Sequence, residues 1–178
     1  MEKVLLHACC ATCAAWSIEK LNELGYEPVL YFYNPNIFPP EEFMKRYNEL
    51  KKYCEKIGVE LLIDKQDSIA WYDYIVGLEE EPEKGKRCVR CFELRMLNSA
   101  SKALKLGINK FTTTLTISPH KVSSDVFEAG SYAAKQFGVE FLAIDFKKEN
   151  GFLNTMMIAK NENFYRQSYC GCEYSIYS

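Results

Sequence analysis

The chain has 178 residues, 48% of them hydrophobic and 26% charged, with a formal net charge of −2 and eight cysteines. A chain of that length buries a substantial core without disulfide staples, so the cysteines are not needed as a structural framework. The balance of charge excludes a uniformly basic protein, and no apolar run reaches membrane-spanning length.

Residues 3–8, KVLLHA, read as a buried strand. The apolar stretch Val4 to Leu6 is far shorter than the roughly 7–15 residues of a secretory h-region, so the expectation is a cytoplasmic chain in which clustered thiols bind metal or do redox chemistry. Residues 12–24 read as a helix with Ala15, Ile18, Leu21 and Leu24 on one face and Gly25 as its stop. Residues 28–34, PVLYFYN, form the second predicted strand, and the loop YNPNIFPP follows it. Residues 40–58 read as a helix with Pro40 at its start, acids in its first turn and Gly58 at its end. VELLI, at 59–63, is the third strand, and 68–78 a short helix.

The stretch 88–107 reads as a long helix closed by Gly107, and KFTTTLT, at 110–116, as a strand by its β-branched residues. Ser118 and Pro119 have the chemistry of an N-cap and first helical residue, which predicts a helix from there to Phe137. VEFLAI, at 139–144, is a last strand, after which the pattern fades into a polar, aromatic tail. Strand and helix alternating on short links predict one α/β domain over 1–178, with a mostly parallel sheet, flanking helices and a cysteine-containing C-terminal tail. The layout is Rossmann-like, of the adenine nucleotide hydrolase-like kind. It lacks the glycine- and serine-rich loop that a nucleotide-hydrolysing sulfur transferase of similar topology carries after strand one, so nucleotide binding is not supported. Ligands in such sheets bind beyond the carboxyl ends of the strands, which directs attention to HACCATC, TLTISPHK and YNPNIFPP.

Cys54 lies on the helix face with Phe43, Tyr47, Leu50 and Ile57, and is expected to be a small core residue. The other seven cysteines fall into three groups: Cys9, Cys10 and Cys13; Cys88 and Cys91; Cys170 and Cys172. Cys88-x-x-Cys91 sits at a predicted helix start, where main-chain N–H groups favour thiolates. A CxxC pair alone fits zinc, an iron–sulfur cluster or a redox dithiol. Joined to the vicinal Cys9-Cys10 it makes a four-thiolate set that suits a [4Fe-4S] cluster at least as well as a zinc staple. Cys170-Gly-Cys172 is a close dithiol whose disulfide would be strained and labile, and a cluster beside a dithiol reads as machinery for two-electron reduction. In the alternative arrangement Cys13 and the CGC pair hold a single metal ion next to the cluster.

From Lys84 to Lys105 there are seven basic residues against the single acid Glu93, either a solvated face or a phosphate-binding patch. Both histidines, His7 and His120, lie near the expected crevice. A lone histidine is more often structural than catalytic, and His120 is the candidate proton donor of the two.

LLHACCATC, YFYNPNIFPPEEF, EPEKGKRCVRCFELR, TTTLTISPHK and YRQSYCGCEYS together resemble the cobalamin-independent epoxyqueuosine reductases, and the resemblance runs from residue 5 to residue 178. Thr12 stands where the family pattern has proline, and threonine can cap the helix that follows. The resemblance implies an iron–sulfur oxidoreductase that deoxygenates epoxyqueuosine in tRNA to queuosine, with electrons from a donor the sequence does not identify. It implies Cys9, Cys10, Cys88 and Cys91 as cluster ligands and Cys170 and Cys172 as a redox-active pair. A further mononuclear iron is also implied, with Cys13 and the CGC pair as candidate ligands. Given an RNA substrate, Arg87, Arg90 and Arg95 become phosphate candidates, His120 and Lys121 join them at the substrate site, and Tyr165, Tyr169 and Tyr174 are candidates for base stacking or for packing the tail. Two other functions share the cysteines: a cluster-and-dithiol disulfide reductase acting on a small molecule, and a zinc-stapled RNA-binding module without catalysis.

Overall fold

In the computed structural model, which describes residues 1–176, strand β1 (Glu2–His7) is the centre of a five-stranded sheet. With β2 (Tyr26–Phe32), β3 (Leu61–Ile63), β4 (Lys110–Thr113) and β5 (Glu140–Phe141) the strand order is β3-β2-β1-β4-β5, and every pairing is parallel. Val4 through His7 are all buried, which explains why β1 reads as a continuous apolar run: a central parallel strand is covered on both faces.

The helices supply that cover. In chain order they are α1 (Ala11–Glu23), α2 (Pro40–Ile57), α3 (Ser68–Tyr74), α4 (Lys86–Lys105), α5 (Ser123–Phe137) and α6 (Gly151–Asn161). On one face Val4 and Leu6 pack with Ile18 and Leu21 of α1, Leu50 and Cys54 of α2 and Ile158 of α6. On the other, Leu5, Val29 and Tyr31 pack with Met96 and Ala100 of α4 and Val126 and Ala129 of α5. The strand order reverses between β1 and β4, and at such a switch point the connections leave to opposite faces and open a crevice. Residues 8–10 leave β1 at this crevice, and residues 114–121 leave β4 there.

The departures from the sequence expectation concentrate at the same place. The strand expected over 110–116 ends at Thr113, because Thr114–Ile117 curl into a 3₁₀ turn whose Leu115 N–H donates to Thr113 Oγ1 at 3.2 Å. The helix expected from Ser118 starts at Ser123 instead: Ser118 Oγ accepts the His120 N–H at 3.2 Å and caps a turn, not a helix. The strand expected over 139–144 is paired only at Glu140–Phe141. Helix α6 carries no sequence signal, because its Phe152, Leu153 and Met157 are exposed and blur the apolar stripe.

Candidate metal centre

Cys9 and Cys10 follow the end of β1 directly, and Cys13 is one turn into α1. Cys10 is the N-cap of α1, its Sγ accepting the Cys13 N–H at 3.4 Å. The cap is therefore a thiol, not Thr12, whose hydroxyl instead donates to the Tyr165 carbonyl at 3.5 Å. The Cys9 and Cys10 sulfurs are 3.9 Å apart, and the three sulfurs of Cys9, Cys10 and Cys13 all lie within 4.8 Å of one another. Asn34 fixes the approach: its Nδ2 donates to the Ala8 carbonyl at 3.0 Å, and its Oδ1 accepts from Arg95 Nη2 at 2.7 Å.

This triad is arranged to carry negative charge. Hydrogen bonds from Cys10 and Cys13, reinforced by Lys121 and Arg95, hold Cys9 well below the usual thiol range. Cys10 is pushed up to about 12: Cys13 pulls it down, but donation to Cys9 and burial outweigh that pull. Cys13 is raised by donation to the same two sulfurs and by burial. One thiolate supported by two thiols is a soft-donor set, and a metal that displaced the remaining protons would find matching ligands.

Cys88 lies in the first turn of α4 and Cys91 one turn on, so both face the same side. Burial raises both thiols, Cys88 to about 11. The Lys84 N–H donates to Cys88 Sγ at 3.3 Å, and Arg95 Nη1 stands 3.9 Å from Cys91 Sγ. These two thiols line one cavity with Cys170 and Cys172, and Lys121 lies at its wall. Burial opposes the Lys121 ammonium, but Cys170, Cys9 and Cys13 outweigh it and its pKa stands above the ordinary lysine value.

The CGC loop is fastened from below. Buried Arg46 pairs with Glu42 at 2.9 Å and donates to the carbonyls of Cys170 and Tyr169 at 2.8 and 3.2 Å. The Phe38 N–H donates to the Gly171 carbonyl at 2.8 Å, and Ser175 Oγ donates to the Cys172 carbonyl at 2.7 Å. Gly171 has φ of +147°, and a Cβ there would stand 3.2 Å from Arg46 and from Asn36, so any other residue is strained and crowded.

The remaining sequence-predicted residues divide by burial. Arg95 is 2% exposed and Arg87 3%, with Arg87 Nη1 donating to the carbonyls of Glu79 and Glu81. Both face inward and line the cavity of Cys88, Cys91, Cys170 and Cys172. Arg90 is exposed, paired with Glu93 at 2.7 Å and stacked over Tyr74. His120 is exposed beside that cavity. Tyr165 and Tyr169 pack under Lys45 and Arg46, and Tyr174 stacks on Trp71, so all three rings fasten the tail. His7 is fully buried: Nε2–H donates to the Tyr33 carbonyl at 3.0 Å and Nδ1 accepts from Thr113 at 2.9 Å. Burial lowers its pKa to about 3, so it is a neutral tie across three strand ends. Cys54 is 1% exposed in the core, as expected.

Sequence reasoning missed Arg46, Asn34 and Trp71. Asn34 left a trace as a polar residue in a crevice loop, whereas Arg46 follows Lys45 in a charged helix and nothing marks Trp71 as a neighbour of the thiols.

Two solved structures share the fold. A predicted subunit of tRNA methyltransferase from Methanocaldococcus jannaschii matches with TM-score 0.61 and 12% identity, over 88% of this chain and 74% of its own. The U34-tRNA thiolase NcsA from Methanococcus maripaludis, solved with its [4Fe-4S] cluster, matches with TM-score 0.60 and 15% identity, over 98% of this chain and 61% of its own. Sequence relatives are nearer. The epoxyqueuosine reductase QueH of Haemophilus influenzae is 38% identical over 98% of this chain and 72% of its own length. The QueH proteins of Acinetobacter baylyi and Dehalococcoides mccartyi are each 35% identical over 98% of this chain, covering 81% and 93% of their own lengths. The family model for epoxyqueuosine reductase QueH matches residues 4–178, a span that takes in every cysteine of the site, and the chain therefore belongs to this family of oxidoreductases.

Proposed function

We propose that the chain reduces epoxyqueuosine within tRNA to queuosine, opening the epoxide and releasing its oxygen as water with two electrons and two protons. The observation that carries this reading is the gathering of seven cysteines at the switch point of the sheet: a triad with one stabilised thiolate, and beside it a cavity walled by two dithiols. Cys9, Cys10, Cys88 and Cys91 would hold a [4Fe-4S] cluster, and Cys13 would be a ligand of a further iron beside it. Such iron supplies electrons one at a time and a Lewis acid for the departing oxygen.

The chain's own residues account for the rest. Cys170 and Cys172 store an electron pair as a dithiol, and Arg46 keeps their loop against the cavity. His120 and Lys121 stand at the mouth, where either can hold a proton for the oxygen that leaves. Arg90 is the exposed cation for a phosphate of the RNA, while Arg87 and Arg95 act inward, Arg95 on the thiols. The electron donor is a separate reductant.

Anaerobic reconstitution with iron and sulfide, followed by incubation with epoxide-containing tRNA and a low-potential reductant, tests the reading. Conversion of the epoxide nucleoside to the alkene is expected by nucleoside mass spectrometry; a loaded, reduced protein that leaves it unchanged overturns the proposal.

A further inference from the structure

Six buried side-chain nitrogen or oxygen atoms among the described residues have no hydrogen-bond partner, and four of them belong to residues of one cavity: Trp71 Nε1, Arg87 Nε, Arg95 Nε and Asn36 Oδ1. Three of the four are N–H donors. Buried donors are paired almost without exception in folded proteins, so three around one cavity mark it as made for an acceptor that the polypeptide does not itself provide.

Trp71 is the most constrained of them. Asp67 caps the helix that carries it, accepting the Ala70 N–H at 3.0 Å. The indole is 1% exposed and packs in a small cluster with Ile75, Leu94, Cys91 and Cys172. Its ring stacks on Tyr174 with centroids 6.2 Å apart, and so touches the segment that follows the CGC pair. The indole packs in the same buried cluster as Cys91, and its N–H forms no hydrogen bond while Cys91 is a free thiol. A neutral thiol is a weak acceptor, whereas a metal-bound thiolate is a good one.

Resting on the metal reading above, we infer that Trp71 is a positioning residue whose indole N–H donates to the Cys91 sulfur when that sulfur ligates iron, and that this bond raises the reduction potential of the centre. Donation to a ligand sulfur stabilises the extra negative charge of the reduced state, so the reduced form is easier to reach. Phenylalanine keeps the aromatic packing and lacks the donor.

The test is a potentiometric titration of the reconstituted protein followed by electron paramagnetic resonance. Wild type and W71F are compared at equal iron and sulfide content, and the midpoint of W71F is expected at a more negative value; equal midpoints overturn the inference. To cover a W71F that does not load, 5-fluorotryptophan is incorporated into a W16F background, where Trp71 is the remaining tryptophan. Fluorination strengthens the N–H donor without changing the shape of the ring, so its midpoint is expected at a more positive value than that of unlabelled W16F, and an unshifted midpoint overturns the inference. A wild-type protein that takes up no iron and sulfide overturns the metal reading instead, which is a separate result.

Discussion

The guanidinium of Arg46 donates to the main-chain carbonyl of Cys170 at 2.8 Å, joining a side chain of α2 to a loop 124 residues further along the chain. The same group is 1% exposed and pairs with Glu42. Its removal as R46M leaves that carboxylate without its buried partner, and is expected to cost about 3 kcal/mol of stability. Urea denaturation measures this cost. At temperatures where R46M is folded, turnover should fall further than in R46K, which keeps the charge.

Gly171 should be as sensitive as the cysteines that flank it. An alanine there must hold φ of +147°, a conformation L side chains rarely adopt, and must push Arg46, Asn36 and Ile37 back by a few tenths of an ångström. The strain is about 1–3 kcal/mol locally, and the loop is expected to shift to relieve it. G171A should load iron and sulfide like wild type yet lose most of its turnover; unimpaired turnover would show that the CGC geometry is irrelevant.

The cysteines should separate into three phenotypes. C9A and C88A are expected to lose iron and sulfide by chemical assay. C172A should keep both and lose turnover, and its failure to load would end the division between ligands and dithiol. C54A should keep both load and turnover, costing about 1 kcal/mol for the small void it leaves in the core.

His7 makes stability depend on acid. Its pKa falls from 6.5 to about 3 on folding, so between those values the unfolded chain binds a proton that the folded chain does not. The contribution of the neutral ring is complete above pH 6.5 and is lost as pH falls toward 3. Its size is up to about 5 kcal/mol at the acid end. Thermal melts from pH 7 to pH 4 should show a steep fall in wild type and a shallower one in H7N.

Arg90 gives the substrate class a direct check. R90E is expected to weaken binding of the tRNA and to reduce the slope of log affinity against log salt by about one phosphate contact. A slope equal to that of wild type would take the backbone contact away from this residue.

Much of the architecture was readable because β1 and β2 are central strands whose two-sided burial leaves an unbroken apolar signal, and because α2 and α4 carry clear amphipathic faces. Grouping of the seven cysteines was equally legible, since adjacency and short spacing are properties of the chain itself. The turn over residues 114–122 was not, because Ser118 and Pro119 suit a turn as well as a helix start and only tertiary hydrogen bonds decide. Nor could the burial of Arg87 and Arg95 be read locally. In sequence they belong to a basic run, and it is the carbonyls of residues 79 and 81 and the amide of Asn34, from other segments, that draw them inward.

The segment bearing the CGC pair is attached through Arg46, Phe38 and Tyr72, whose hydroxyl donates to Glu173, and belongs to no strand of the sheet. Segments tied down by a few side-chain bonds open before the hydrogen-bonded interior does. In mild denaturant, maleimide should therefore capture Cys170 and Cys172 well before Cys54, so that the two thiols of the CGC loop are guarded by a latch and the core thiol by the whole fold.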